Sequence, residues 1–292
     1  MPRREEIGAP SGAAMIEIDG VRLAVVREGR GPTIVCLHAI GHGARDFEAF
    51  ARAMAPRFEV IRADWPGQGR SGPDHEPASA ARYADLLTAL IAKLGIERPI
   101  IIGNSIGGAA AILHAARAPV RALVLCDPGG LVAVDDTVRR FCGLFAGFFR
   151  AGARRAWWFK PAFALYYRLV LPSPAARAQR GRIIDNCHDL APVLAQSWES
   201  FGRPEADIRA FAARLRVPAW FAWAKDDQVI PLKRCRPAIE AMAMASVTEF
   251  PGGHAAFLEQ PDAFIAGFTQ FVENLPREVV PPQPLAMVTN LD

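Results

Sequence analysis

Residues 100–116 constrain this chain more than any other stretch. Three β-branched residues, Ile100, Ile101 and Ile102, run into Gly103-Asn104-Ser105-Ile106-Gly107-Gly108 and then into an alanine-rich segment. A short apolar, β-branched run suits a central parallel strand, and residues 109–116 hold no helix breaker. The turn between them reads G-x-S-x-G, the pattern of a nucleophile elbow: the backbone reverses so sharply that the flanking positions must lack side chains, and the serine hydroxyl is lifted above the sheet edge. Ser105 is therefore a candidate nucleophile. The N–H of Ile106 opens the helix, where the dipole favours negative charge, so it can donate to an oxyanion forming beside that hydroxyl. An ordinary Gly-rich strand-to-helix turn would read the same way, and the decision rests on partners elsewhere in the chain.

Strand patterns precede and follow the elbow. Residues 15–18 and 21–27 flank Asp19-Gly20, a dipeptide suited to a tight hairpin, so the sheet is expected to open antiparallel. Residues 33–37 form an apolar strand entering the loop His38-Ala39-Ile40-Gly41-His42-Gly43, with a helix over about 46–54. Residues 58–62 make another strand, ending in Asp64-Trp65-Pro66-Gly67-Gln68-Gly69-Arg70-Ser71, and a helix follows over about 78–94. Strands at 121–126, 218–223 and 246–250 and a final helix over about 261–275 complete the pattern. Strands alternating with helices predict a mostly parallel sheet covered on both faces, with ligands at the carboxyl ends of the strands.

Between about 134 and 215 the rhythm changes to helical segments broken at Pro161, Pro172, Pro174, Pro192 and Pro204, which marks an insertion. It is rich in aromatics, and residues 135–216 carry 14 Lys/Arg against 7 Asp/Glu, a balance of +7 that leaves −3 for the rest of a chain whose total is +4. Packing and a solvated outer face account for such a segment; an anion-attracting or membrane-touching lid is the sharper reading. With 30 Arg and 4 Lys the basicity reflects composition, and it implies no nucleic-acid partner. Five cysteines without C-x-x-C spacing imply neither a disulfide framework nor a zinc site, and with no apolar stretch long enough to span a bilayer a reducing, cytoplasmic setting is expected. No metal and no cofactor is expected. The partner is a small-molecule substrate, without stable membrane insertion, and homo-oligomerisation stays open.

A serine hydroxyl needs a base within hydrogen-bond reach, and the base needs an acid to hold its tautomer. Of six histidines, His254 follows the last strand behind two glycines, at the sheet edge that carries Ser105, which makes it the candidate base. His38 and His42 sit in the loop beside the elbow and suit structural or substrate-lining roles. His114 falls within the elbow helix, while His75 and His188 have no supporting pattern. For the acid, Asp226 and Asp227 compete after the penultimate strand, with Asp127 a third candidate at the end of an earlier one.

Over about residues 15–275 the sequence resembles the α/β-hydrolase superfamily. His38-Ala39-Ile40-Gly41 is similar to the family's H-G-x-G oxyanion loop, with Ala39 where glycine is usual; Asp64 to Ser71 resembles its D-x-x-G-x-G-x-S loop; Gly253-His254 resembles the turn of the catalytic histidine. The resemblance assigns Asp227, which with Pro231 matches D-x-x-x-P, as the acid, and the N–H groups of Ile40 and Ile106 as the oxyanion hole. It implies an eight-stranded, mostly parallel sheet with core parts over 15–133 and 216–275, a helical cap over 134–215 between strands 6 and 7, and flexible termini at 1–14 and 276–292. His42, Trp65, Asn104, Trp157 and Trp158 are candidates to line the substrate site. A serine rather than an aspartate at the elbow disfavours haloalkane dehalogenases and epoxide hydrolases. The meta-cleavage-product hydrolases share Gly-Asn-Ser, but carry Trp where this chain has Ala255, and their cap arginine has only Arg177, Arg180 and Arg182 as unplaced counterparts. Ester hydrolysis by a Ser-His-Asp triad ranks first, carbon–carbon hydrolysis second, and a ligand receptor on the same fold is the alternative from another class.

Overall fold

Asp19 and Gly20 both take positive φ, 50° and 75°, as a tight two-residue hairpin turn with two left-handed positions requires. They join β1 (Ala14–Ile18) to β2 (Val21–Gly29), which pair antiparallel. The structure, a computed structural model, describes residues 13–276. After β3 (Thr33–Leu37) come a single 3-10 turn (Ala44–Phe47), α1 (Glu48–Met54), β4 (Glu59–Ala63), α2 (Ala80–Lys93), β5 (Ile100–Asn104), α3 (Ile106–Ala115) and β6 (Ala122–Cys126). Five helices follow: α4 (Asp136–Ala153), α5 (Phe159–Val170), α6 (Arg177–Asp185), α7 (Cys187–Phe201) and α8 (Arg209–Arg214). The chain then returns through β7 (Ala219–Ala224), α9 (Leu232–Glu240), β8 (Ala245–Phe250), α10 (Ala256–Glu259) and α11 (Pro261–Glu273).

The sheet order is β1-β2-β4-β3-β5-β6-β7-β8, antiparallel as far as β4 and parallel from there on. Each strand expected from the sequence is present, its ends moved by two residues or fewer. Strand pleating divides the core in two. Val35, Leu37, Ile101, Leu123 and Phe221 face one way and pack with Leu86, Leu87, Leu113 and Ile239 from α2, α3 and α9. Ile34, Cys36, Ile102, Val124 and Trp220 face the other way and pack with Phe50, Phe264 and Phe268 from α1 and α11. The central parallel strands β3, β5, β6 and β7 are thus buried on both faces, which is why they read as apolar runs, whereas β8 at the sheet edge is largely exposed and mixed in sequence.

The segment between β6 and β7 is helical, as expected, but two of its prolines do not break helices. Pro161 stands in the first turn of α5, where its missing N–H has no partner to lose, and Pro192 lies inside α7, which packs along α4 and tolerates the loss of one bond. The flexible termini expected at 1–14 and 276–292 lie outside the described residues apart from 13, 14 and 276, and Ala14 already belongs to β1. Among the described residues no helix is long and apolar enough to cross a membrane.

Candidate active site

At the end of β5 the chain turns into α3 through Ser105, which holds φ 55° and ψ −117°, a conformation costly for any residue with a side chain. Two glycines make that turn feasible. A Cβ on Gly103 would lie 2.5 Å from the carbonyl oxygen of Gly107, and one on Gly107 would lie 2.5 Å from that of Leu37 on β3. The serine backbone is tied down on both sides: its N–H donates to Cys126 O at 3.0 Å and its carbonyl accepts from Gly129 N–H at 3.1 Å. Strain at this position is thereby over-determined by β5, β6 and the start of α3.

His254 follows β8. Its Nδ1 donates to Asp227 Oδ2 at 2.7 Å, and the other carboxylate oxygen of Asp227 accepts from Val229 and Ile230 N–H at 2.7 and 2.9 Å. The turn that carries the imidazole is held by a residue the sequence did not single out, Glu259. Its Oε2 accepts from the N–H groups of Gly253, His254 and Ala255 at 2.7, 3.2 and 3.4 Å, and its Oε1 accepts from Ser173 N–H at 3.2 Å. Asp226 is exposed and takes no part. Asp127 does lie in the cluster: one ligand atom each from Asp127, Asp227 and His254 falls within 4.8 Å of the others. Asp127 Oδ1 accepts from Ala224 N–H at 2.7 Å, while Oδ2 is buried without a partner.

The charges here oppose one another. Burial by itself would lower the His254 pKa, but Asp227, by charge and by hydrogen bond, together with Asp127 and Glu259, outweighs it and lifts the value from 6.5 to about 9. Asp127 is driven well above the usual carboxylate range, first by burial and then by the adjacent Asp227. Of the two adjacent carboxyls, Asp127 is thus the one that holds a proton more tightly, while Asp227 carries the hydrogen bond to His254.

Across from the elbow, His38 is a strut. Its Nδ1 donates to Ala39 O at 2.7 Å and its Nε2 accepts from Trp65 N–H at 2.8 Å, while the Trp65 indole donates to His38 O at 2.8 Å. Burial lowers the His38 pKa and keeps the ring neutral, as the accepting nitrogen requires. Gln68 Oε1 accepts from Gly41 N–H at 2.6 Å and its amide donates to the Tyr83 hydroxyl at 3.1 Å, so the loop is pinned from behind. Ala39, where the family pattern has glycine, keeps a negative φ, and its methyl costs no backbone strain. The N–H groups of Ile40 and Ile106 have no acceptor among the described residues.

Ser105, His254, Ile40 and His42 line one cavity of about 130 Å³, walled mainly by Leu131, Val138, Phe141, Leu194, Trp198 and Phe201, with Tyr166, Ser197 and Arg234 as further polar groups. His42 is held by Asp46 Oδ2 at 2.5 Å. The other candidates lie elsewhere. Asn104 is buried beneath the elbow, its amide donating to Cys126 O at 3.0 Å and to His254 O at 2.9 Å, so it links the two turns and lines nothing. Trp65 is stacked on Tyr83 at 4.4 Å behind the loop. Trp157 and Trp158 are on the outer surface of the helical segment. The +7 of that segment also faces outward: none of its arginines lines the cavity, and the one that does, Arg234, comes from α9.

Comparison with known proteins gives the same frame. The alpha/beta hydrolase family matches residues 34–267. The chain is 28% identical to a pimeloyl-[acyl-carrier protein] methyl ester esterase of Chromobacterium violaceum, over 87% of this chain and 99% of that one. It is 27% identical to a 2-hydroxy-6-oxo-6-phenylhexa-2,4-dienoate hydrolase of Comamonas testosteroni, over 81% and 86%. Among solved structures, an esterase from Exiguobacterium antarcticum superposes with a TM-score of 0.77 at 17% identity, over 90% of this chain and 100% of that one. With the family match spanning most of the sheet and the helical segment alike, this chain belongs to the alpha/beta hydrolase family.

Proposed function

We propose that this protein hydrolyses carboxylic esters with an apolar acyl or aryl part, using Ser105 as nucleophile, His254 as base and Asp227 as the acid that orients it. The observation that carries the reading is one cavity lined by a serine on a strained turn and by an imidazole whose far nitrogen is bonded to a buried carboxylate at 2.7 Å. Ser105 Oγ attacks the ester carbonyl carbon while its proton passes to His254 Nε2. The N–H groups of Ile40 and Ile106 take the oxyanion. Collapse expels the alcohol, which leaves with that proton, and water then releases the acid from the acyl-enzyme by the same steps in reverse. In this reading the segment 134–215 is the lid that keeps the cavity dry and strengthens those hydrogen bonds.

The size of the cavity bears on the substrate. About 130 Å³ approaches the ~150 Å³ of an apolar cavity that takes up benzene, which favours a short acyl chain or a single ring over a long fatty acid. Arg234 on the wall suits a substrate with an anionic end. Carbon–carbon hydrolysis is the second reading, supported by the relatives named for that reaction and weakened by Ala255 and by Arg180 and Arg182, which are spent on Leu171 O and on Gln179. The test is turnover of p-nitrophenyl esters from acetyl to dodecanoyl, and of the benzoate, by wild type and Ser105→Ala. Turnover should peak at short chains or the aryl ester and fall on the order of 10⁴-fold in the variant. Near wild-type turnover by Ser105→Ala sinks the reading, and saturable binding without turnover assigns the receptor role instead.

A further inference from the structure

The outer face of α5, continued by Leu144 on α4, is apolar although it is exposed. Positions 158, 161, 165 and 169, spaced to share one face of α5, are Trp158, Pro161, Leu165 and Leu169, with Arg168 beside them. Leu165 is 62% exposed and Leu169 59%. On α4 Leu144 is 71% exposed, and in the turn between the helices Trp157 is 90% exposed. The Phe148 and Trp158 rings lie 6.0 Å apart and join the two stripes into one patch. A helix that is apolar on its buried and exposed sides alike is ordinarily covered by something.

Charge identifies what covers it. From Thr137 to Ile184 the chain holds ten Arg and Lys and not one Asp or Glu. Arg150, Arg155 and Lys160 pair with Glu199, Asp189 and Asp185, but Arg140, Arg154 and Arg168 have no acidic partner among the described residues. Apposing the same face of a second copy would bring like charges together around the apolar contact, which opposes a symmetric dimer. A surface that is apolar inside and anionic at its edge satisfies both features. On such a surface aromatic and leucine side chains can enter between acyl chains while arginines on long stems reach the phosphates, and among the described residues no helix is long and apolar enough to cross the bilayer.

We propose that the α4–α5 face is a docking surface for membranes that contain anionic phospholipid. This assignment is independent of the ester chemistry, since none of Leu144, Trp157, Leu165 and Leu169 lines the cavity. The full chain is sedimented with vesicles of phosphatidylcholine alone or mixed with phosphatidylglycerol, at low and high salt, alongside Leu165→Gln/Leu169→Gln, Arg154→Gln and Arg168→Gln, with light scattering for oligomeric state. The expected result is binding to the mixed vesicles that falls steeply with salt, drops at least about tenfold in the double leucine variant and about fivefold in each arginine variant. Hydrolysis of a short soluble ester and thermal stability should stay at wild-type level, which separates loss of docking from loss of fold. Equal binding to neutral vesicles, no binding to either, or binding indifferent to the substitutions overturns the proposal. So does a dimer that the leucine variant dissociates in the absence of vesicle binding, which would assign the face to a second copy.

Discussion

The two buried carboxyls beside His254 should respond in opposite ways to the same substitution. Asp227 Oδ2 takes the Nδ1 proton of His254, and in Asp227→Asn the amide that replaces it offers a donor, so the ring turns to the other tautomer and Nε2 carries a proton where Ser105 needs an acceptor. An error of that kind costs on the order of 10⁴ in kcat. Asp127→Asn should cost less than about fivefold, about 1 kcal/mol. Asparagine resembles the protonated acid, keeps the bond to Ala224 N–H, and accepts the φ of 45° found at this position. Stability supplies the second readout. Unfolded, Asp127 loses its proton above about 3.8, whereas burial beside Asp227 holds it on in the folded chain. The native state then binds more protons than the unfolded state, and stability declines by about 1.4 kcal/mol for each pH unit over which that holds. Asparagine has no proton to lose. Asp127→Asn should therefore gain on wild type in urea unfolding as pH rises above about 4, the gain levelling off where the folded carboxyl itself ionises. The opposite pattern refutes the argument: a large kcat loss in Asp127→Asn with an active Asp227→Asn, or no pH-dependent gain together with an acid limb of kcat/KM moved down by a unit, would mean that Asp127 is ionised and works as the acid.

Three further substitutions test what holds the site and what shapes it. Glu259→Ala leaves the N–H groups of Gly253, His254 and Ala255 without an acceptor, at about 1–3 kcal/mol for a buried donor, and lets the imidazole drift. Urea unfolding should show that loss, and kcat should fall about 10- to 100-fold with little change in KM; a kcat near wild type would mean that the turn holds itself. Phe201→Ala removes a ring from the cavity wall and should raise kcat/KM for octanoyl relative to butyryl esters by up to about 200-fold, since four methylenes at about 0.8 kcal/mol each become buriable. Trp157→Ala should leave that ranking unchanged, and a shift as large as that of Phe201→Ala would put Trp157 back at the site.

How far the sequence reached depended on how local each requirement is. The elbow was readable because its glycine spacing answers one tight turn, with Gly103 against the Gly107 backbone four residues on, although Gly107 is also required by Leu37 on β3; the central strands were readable because burial on both faces demands an apolar run whatever packs against it. Position at the end of β7 did not separate Asp226 from Asp227, and only the resemblance to D-x-x-x-P through Pro231 chose Asp227. What distinguishes them is a turn in which Asp227 collects two N–H groups ahead of it while its second oxygen remains free for His254. Asn104 was misplaced for a related reason: adjacency to Ser105 suggested the cavity, but a sharp reversal sends neighbouring side chains apart, and its partners are carbonyls at Cys126 and at His254, 150 residues on. Glu259 left no local signal, because its function exists only once three N–H groups have been folded around one oxygen. The helical segment was least readable. Aromatics occupy more than one face of both α4 and α5, so sequence alone could not say that Phe141 and Tyr166 face the cavity while Trp157 and Leu165 face out. Helix periodicity separates the arginine-bearing side of α4 from its buried side, but it does not say which of the remaining aromatics meet the cavity and which meet solvent. That second distinction is set by how α4 and α5 pack against α7, which leaves Leu165 and Leu169 on the outer side of α5 with arginines at their edge.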